Sequence, residues 1–361
     1  MKEIREILKQ VGSLAAGEKA VLATVVDLKG SGYRLPGARM LIKANGNATG
    51  TVSGGCLEAD VLERAKRVLE TGRAEVFVYD TTADENSVFS LNMGCRGVMR
   101  ILMEAVDANS EIFSAITRVY EHRNPEICAV VIQGEASEIG ERIWSNVSTA
   151  AFPMIAADIK TFTGSASNYE TITYDADGAF LEFVFERISP PVQLFVLGAG
   201  ADAVPLADAA HGLGWQVNVC DHRPAFLTGE RFPRCDALVG LERDAAPEWD
   251  VDGLTAFVLM NHNYDRDKAM LPGALRSQAF YVGALGPKRR TEQMMTELGD
   301  PFSEDELSRL RAPAGLDIGG DTPEAIAISI VAEIQSVLKH RNGGPLRERQ
   351  APIYDRKVGS A

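Results

Sequence analysis

The chain has 361 residues, enough for two domains that each bury a core of their own. Its net charge of −13 excludes a general nucleic-acid binder, whose surface must neutralise phosphates. No run of eighteen apolar residues occurs, so no transmembrane helix is expected.

The N-terminus, Met1 to Ile7, is charged and amphipathic and lacks the apolar block of a secretory signal, so a cytoplasmic protein is expected. Five cysteines stand at positions 56, 95, 128, 220 and 235, none in a C-x-x-C pair. That spacing indicates neither a disulfide framework nor a structural zinc site. The five histidines are dispersed, and no metal-ligand constellation of side chains is visible.

Residues 1–17 read as a helix ending near Gly17. Ala20 to Val26 is a β-branched, apolar strand. The Gly-punctuated stretch 27–39 reads as a loop, with Lys29, Arg34 and Arg39 among small residues. Cations beside close-approach backbone suit a phosphate or carboxylate. Taken alone, though, the stretch reads rather as solvated turns. Met40 to Lys43 is a strand, and Asn45-Gly46-Asn47 a hairpin turn.

Ser53-Gly54-Gly55-Cys56-Leu57-Glu58 follows and runs into a helix whose apolar face is Val61, Leu62, Ala65, Val68 and Leu69. A helix start leaves N–H groups unpaired and carries positive partial charge, which suits anions and thiolates. The plainer alternative is a tight turn with a small buried cysteine.

Glu75 to Asp80 is a strand. A second Gly-Cys turn, Met93-Gly94-Cys95-Arg96-Gly97, opens the strand that runs to Glu104. Cys95 thus has Arg96 and Arg100 as near neighbours, and nearby cations favour a thiolate. A helix near 110–122, a strand 127–132 holding Cys128 in its core, a loop over 161–168 and a strand 181–186 complete the first domain. Ser189-Pro190-Pro191 marks a boundary, because proline continues neither ladder nor helix there.

Val192 to Leu197 opens the second domain. Gly198-Ala199-Gly200-Ala201-Asp202-Ala203 follows as G-x-G-x-x-A, then a helix, then the strand Gln216 to Cys220 with Asp221 at its end. This is the dinucleotide fingerprint in strand–turn–helix–strand–acid context. Gly198 and Gly200 admit a pyrophosphate, and Asp221 can accept from a ribose hydroxyl. Asp202 places a negative charge where phosphate would sit, so the alternative is a glycine turn with its nucleotide site unused. Thr255 to Met260 is another buried strand, ending in Asn261-His262-Asn263. His262 is either an acid, base or ligand contact, or a plain loop residue. Tyr281 to Gly286 gives a strand and turn, and Pro287-Lys288-Arg289-Arg290 opens a basic helix start. A long helix after Pro323 carries Ala325, Ile326, Ile328, Ser329, Ile330 and Ala332. The tail from Asn342 is expected to be mobile.

The fold class is therefore α/β: a mixed α/β domain over 1–188, a Rossmann-like doubly wound parallel sheet over 189–341, and a tail over 342–361. Several stretches together resemble the XdhC/CoxI family of xanthine dehydrogenase accessory factors. They are Gly30 to Met40, Ser53 to Glu58, Met93 to Gly97, Gly198-Ala199-Gly200, Asn261 to Asp265, Tyr281 to Gly286, and Gly315 to Gly319 with Thr322-Pro323-Glu324. The resemblance covers roughly 12–340. It implies a homodimeric chaperone that binds molybdenum cofactor (molybdopterin), protects it while its terminal sulfur is installed, and delivers it to an apo molybdenum hydroxylase. A cysteine-desulfurase-type sulfur donor is the second implied partner. Cys56 and Cys95 become cofactor contacts, with Gly54, Gly55 and Arg34 as neighbours of the pterin phosphate. Molybdenum would arrive only inside the cofactor. Many relatives carry a His within the glycine fingerprint where this chain has Ala201-Asp202, and a smaller residue where Arg96 stands.

Two other functions compete. One is an NAD(P)-dependent oxidoreductase resting on Gly198, Gly200, Ala203 and Asp221, with His262 moving the proton. The other is a sulfur-transfer protein with a persulfide on Cys56 or Cys95.

Overall fold

A computed structural model describes residues 2–80, 97–134, 138–145, 153–176, 179–242, 249, 251–299, 302–351 and 353. The chain divides into two compact units, Met1–Pro190 and Pro191–Ala361.

The first unit opens with helix α1 (Lys2–Val11), which buries Ile7 and Val11. It stops well short of Gly17: Gly12 and Ser13 are poor helix formers, and turns take over. Strand β1 (Ala20–Gly30) follows, then β2 (Arg39–Lys43) and β3 (Ala48–Gly50). Next come helix α2 (Glu58–Thr71), β4 (Glu75–Asp80) and β5 (Gly97–Val106). These strands form an antiparallel sheet in the order β3-β2-β1-β5-β4.

The apolar run of β1 is explained by cover on both faces. Val21, Ala23 and Val25 pack with Val61, Ala65 and Val68 of α2. Ala20 and Leu22 pack with Ile7 of α1 and with Ile112 and Ile116. Residues 27–30, expected as loop, continue β1, because β5 pairs along its whole length as far as Gly30 opposite Gly97.

Helix α3 (Glu111–His122) carries Ile112 and Ile116 and leads to β6 (Glu126–Gln133), β7 (Arg142–Trp144), helix α4 (Ala156–Gly164), β8 (Tyr169–Ala176) and β9 (Ala179–Ile188). The second antiparallel sheet has the order β7-β6-β9-β8. Here α4 covers the start of the stretch 161–168, expected as loop, and buries Ile159 and Phe162. Val26 and Leu102 of the first sheet cluster with Val130, Ile132 and Val184 of the second. Three ion pairs cross between the sheets: Arg39 to Glu186, Arg100 to Glu182 and Arg142 to Glu104.

In the second unit β10 (Gln193–Leu197), helix α5 (Ala203–Gly212), β11 (Gln216–Asp221), β12 (Ala237–Gly240), β13 (Thr255–Leu259), helix α6 (Tyr264–Arg276) and β14 (Tyr281–Ala284) follow in turn. Helices α7 (Lys288–Leu298) and α8 (Glu304–Ser308), β15 (Leu310–Arg311) and helix α9 (Pro323–Leu338) complete it. All six strands are parallel, in the order β12-β11-β10-β13-β14-β15. That is the doubly wound Rossmann order, with the switch point between β10 and β13.

Alternation along β10 shows both faces covered. Leu194 and Val196 pack with Leu206 and Ala210 of α5 and Ile330 and Ile334 of α9. Phe195 and Leu197 pack with Met270, Leu271 and Leu275 of α6. On α9 the buried residues are Ala327, Ser329, Ile330, Val331 and Ile334, while Ile328, assigned to the apolar face from its sequence, stays exposed. Of the tail from Asn342, residues 352 and 354–361 lie outside those described.

Candidate functional site

The Ser53–Glu58 turn joins β3 to α2 and is wired around one hydroxyl. Ser53 is buried, and its Oγ accepts from the N–H groups of Gly55 (3.1 Å) and Leu57 (3.2 Å). The Cys56 thiol is placed to donate to the same oxygen, with Sγ 3.6 Å away. Ser53 in turn gives both of its own donors to Glu58, its N–H to Oε1 (2.9 Å) and its O–H to Oε2. Burial pushes the Glu58 carboxyl up, but these bonds and nearby backbone N–H groups outweigh it and hold the group below the usual carboxylate range. The N–H groups of Gly54 and Cys56 have no acceptor among the described residues.

Beside this turn lies a cavity of about 40 Å³ lined by Leu28, Tyr33, Cys56, Leu57, Tyr79 and Met99 among others. Tyr33 is 66% exposed, and its ring lies so close over Gly54 that a Cβ there would stand 3.3 Å from it. The Tyr79 hydroxyl donates to Asp60 (2.8 Å), and burial together with that carboxylate keeps it protonated far above its ordinary range.

The described cysteines differ sharply. Cys56 is exposed. Burial pushes the thiols of Cys128, Cys220 and Cys235 up to about 12, which makes them inert packing groups. Cys95 and Arg96 lie outside the described residues. Gly97, the next residue along, is a wall of the same cavity as Cys56. A Cβ on Gly97 would stand 2.5 Å from the Ser31 carbonyl oxygen and 2.6 Å from that of Lys29, so only glycine fits there.

The cations of the 27–39 stretch do not gather at this cavity. Arg34 is paired with Glu3 of α1, and Lys29 is exposed on β1. Arg39, read from the sequence as one cation of a stretch of solvated turns, is a core residue. Its Nη2 donates to both oxygens of Glu186 (2.5 and 2.7 Å), and both side chains are about 4% exposed. Tyr169 donates to the same carboxylate (3.0 Å). Gly37, at φ +88°, leaves room for that hydroxyl, since a Cβ would come within 1.7 Å of it.

In the second unit, Gly198 at φ +120° lets the turn after β10 press against the end of β13; a Cβ would lie 2.5 Å from the Met260 carbonyl oxygen. The Asp221 side chain is fully buried. Its Oδ2 accepts from Ala199 N–H and Arg223 Nη2 (2.8 Å each), and its Oδ1 from Arg223 N–H (2.8 Å) and Nε (3.0 Å). Burial pushes this carboxyl up, yet Arg223 and the backbone N–H groups hold it well below the usual range. The acid expected to reach a ribose hydroxyl is therefore committed on both oxygens to closing the glycine turn from within. His262, at φ +53° and exposed, has Nε2 2.8 Å from Asp202 Oδ2. Asp202 Oδ1 stands 2.7 Å from where a Gly200 Cβ would be, so this carboxylate lies over the turn. Arg231 donates to the carbonyls of Phe226 (3.1 Å) and Gly200 (3.4 Å).

Comparison with known proteins agrees with both halves. Residues 13–80 match the model of the XdhC and CoxI family, and residues 194–334 that of the XdhC Rossmann domain. A probable xanthine dehydrogenase subunit of Bacillus subtilis is 30% identical over 318 residues, covering 88% of this chain and 92% of that protein. The chain belongs to the XdhC and CoxI family. A second member of similar length, the molybdenum cofactor insertion chaperone PaoD of Escherichia coli, is 26% identical over 93% of this chain and 89% of its own. The crystal structure of a xanthine dehydrogenase from Bacillus halodurans superposes with a TM-score of 0.75 at 25% identity, covering 94% of this chain and 97% of that one.

Within this XdhC/CoxI chain, then, Gly54 and Cys56 line one cavity, Gly55 is not among its lining residues, Arg34 is paired with Glu3, and Gly198, Gly200 and Asp221 belong to a turn in the other unit. Sequence reasoning quotes the stretches that hold Tyr33, Ser53 and Glu58 but gives these residues no role of their own. Two signals point to them: an aromatic among glycines, and a Ser five residues before a Glu across a helix start. Among the described residues no helix is long and apolar enough to cross a membrane, and no group of three or more His, Cys, Asp or Glu is arranged to hold a metal ion.

Proposed function

We propose that this protein is an accessory factor in the maturation of molybdenum hydroxylases, and that it holds molybdenum cofactor on its first unit before delivery to an apo-enzyme. The observation that carries this reading is the Cys56 turn. An exposed thiol stands beside two open backbone N–H groups, an exposed tyrosine ring and an apolar cavity. A thiol and open N–H donors suit a group that is anionic and sulfur-rich, and an aromatic face suits a flat heterocycle. The cavity itself is smaller than a pterin, so the exposed lining residues Tyr33, Gly54 and Cys56 are the ones that would hold the ligand.

Each side chain then has a task. Cys56 contacts the cofactor through sulfur, with Cys95 as the second thiol on the family pattern. Gly54 and Cys56 donate N–H to the anionic part. Gly55, at φ +108°, turns the chain so that these donors precede α2. When bound, the cofactor supplies the redox-active molybdenum centre of the enzyme it is destined for. The kinship with PaoD supports this assignment over an enzyme subunit's role. A cysteine-desulfurase-type sulfur donor and a homodimer belong to the same proposal.

Molybdenum content and oxidised-pterin fluorescence, measured on protein purified from a cofactor-producing host, test it. Stoichiometric pterin is expected in the parent, falling at least about tenfold in Cys56→Ser, which keeps the size but loses the soft donor. Pterin retained in full by Cys56→Ser would remove the thiol from the site. Pterin absent from both would move the question to the second unit and to NAD(P).

A further inference from the structure

The second unit has the fold of a dinucleotide binder, but its glycine turn does not fit that ligand. The N–H groups of Gly200, Ala201 and Asp202, at the start of α5, have no acceptor among the described residues. These are the donors that a Rossmann turn gives to a pyrophosphate. Here an anion of the chain's own lies over the turn. Asp202 Oδ1 stands 2.7 Å from where a Gly200 Cβ would be, and it has no donor among the described residues. Asp202 Oδ2 is 2.8 Å from His262 Nε2. A carboxylate only accepts, so the pair requires the imidazole proton on Nε2. The His262 ring closes over the same spot, with Cδ2 and Nε2 at 3.4 and 3.5 Å from that Cβ position. Asp202 makes no side-chain cap to α5, so its carboxylate is not there to finish the helix.

Arg231 does not offset this charge where a phosphate would meet it. It donates to the Gly200 carbonyl (3.4 Å), which shares a trans peptide with the Ala201 N–H and points the opposite way. The ribose end is closed as well. Four donors reach Asp221, two on each oxygen, and a carboxylate has about four acceptor positions.

We infer that Asp202, held by His262, is a built-in anion that closes the glycine turn to the pyrophosphate of a dinucleotide. Asp202 supplies the charge, and His262 is a positioning residue that acts through it. A phosphate arriving at the open N–H groups meets a carboxylate beside them, and the like charges repel. Swinging Asp202 away costs its hydrogen bond to His262. His262 holds its place at φ +53°, a left-handed backbone that few non-glycine residues adopt. An oxidoreductase working at this turn would lack both of its polar residues, because Asp221 is filled and His262 gives Nε2 to Asp202. Nothing in the first unit bears on this closure, which holds whether or not Cys56 takes a cofactor.

The test is calorimetric titration of the full-length protein with ADP, which carries pyrophosphate and ribose, and with adenosine, which lacks the phosphates. The parent is expected to bind ADP no tighter than about 1 mM. Asp202→Asn keeps the size and removes the charge. It is expected to tighten ADP binding by at least about tenfold and to leave adenosine within about twofold. His262→Gly suits the left-handed backbone. It is expected to tighten ADP by a smaller factor in the parent and to change nothing in Asp202→Asn, since it acts through the carboxylate. A second measurement needs no ligand. Gly200→Ala places a methyl against Asp202 Oδ1, so it is expected to lower the melting temperature of the parent more than that of Asp202→Ala. Micromolar ADP binding by the parent, ADP affinity unmoved in Asp202→Asn, or an equal gain for adenosine overturns the inference. So does a Gly200→Ala cost that is the same with and without the Asp202 carboxylate.

Discussion

At the scale of single residues, the two glycine turns are solved the same way: a buried oxygen acceptor gathers the N–H groups that the turn exposes. Ser53 does this in the first unit and Asp221 in the second. Asp221 is the stronger case, because its carboxylate is fully buried and takes Arg223 as well as two backbone donors. Removing it leaves buried donors unpaired, and Asp221→Asn is expected to cost about 2–3 kcal/mol at pH 7. The pH dependence follows from the depressed folded value. The stabilisation is fully present above the ordinary carboxylate range, near pH 4, and is lost as pH falls below it toward the folded value. Urea unfolding at pH 7, 5 and 3 checks this: the parent should lose stability between pH 5 and 3, and Asp221→Asn should lose about 1–2 kcal/mol less over that interval. Equal losses in both proteins would show that Asp221 does not carry the acid sensitivity.

At the scale of elements, the seam between the two antiparallel sheets joins an apolar cluster to three arginine–carboxylate pairs. Arg39 and Glu186 are the most enclosed, so their mutual dependence outweighs their net worth. Arg39→Met strands a buried carboxylate and is expected to destabilise the first unit by about 3–5 kcal/mol. The pair Arg39→Met with Glu186→Leu removes both charges and is expected to recover most of that loss, read as a denaturant midpoint closer to the parent's. A double variant no better than the single would mean that Glu186 is held mainly by Tyr169. This seam also marks where the sequence stops being legible. The longer strands and the Rossmann class follow from local alternation and from glycine and proline punctuation, and β4 is legible to the residue, whereas β3, β7, β8, β12 and β15 are not read from it. Arg39 reads as a surface cation because its partner is 147 residues away. The pairing of Arg34 with Glu3 is hidden from the sequence for the same reason, since Glu3 belongs to another element. The Ser53–Glu58 wiring spans five residues and is legible locally once the turn is treated as a capping problem as well as a thiol site.

At the scale of the whole molecule, each unit's buried clusters are built from its own residues. The first unit closes around β1, β6 and their helices, and the second around β10 and β13. A unit that completes its own core satisfies the requirement for independent folding. Fragments 1–190 and 191–361 are therefore each expected to melt cooperatively when produced alone. Tryptophan fluorescence distinguishes them, because Trp144 belongs to the first and Trp215 and Trp249 to the second. The division also localises function. If the Cys56 turn is the cofactor site, fragment 1–190 purified from a cofactor-producing host should carry pterin and lose it with Cys56→Ser, while fragment 191–361 should carry none. Pterin on fragment 191–361 alone would place the site at the glycine turn, despite the Asp202 carboxylate over Gly200 and the full engagement of Asp221. Two folded fragments that carry pterin only when mixed would mean that neither the thiol turn nor the glycine turn suffices and that the ligand needs groups from both.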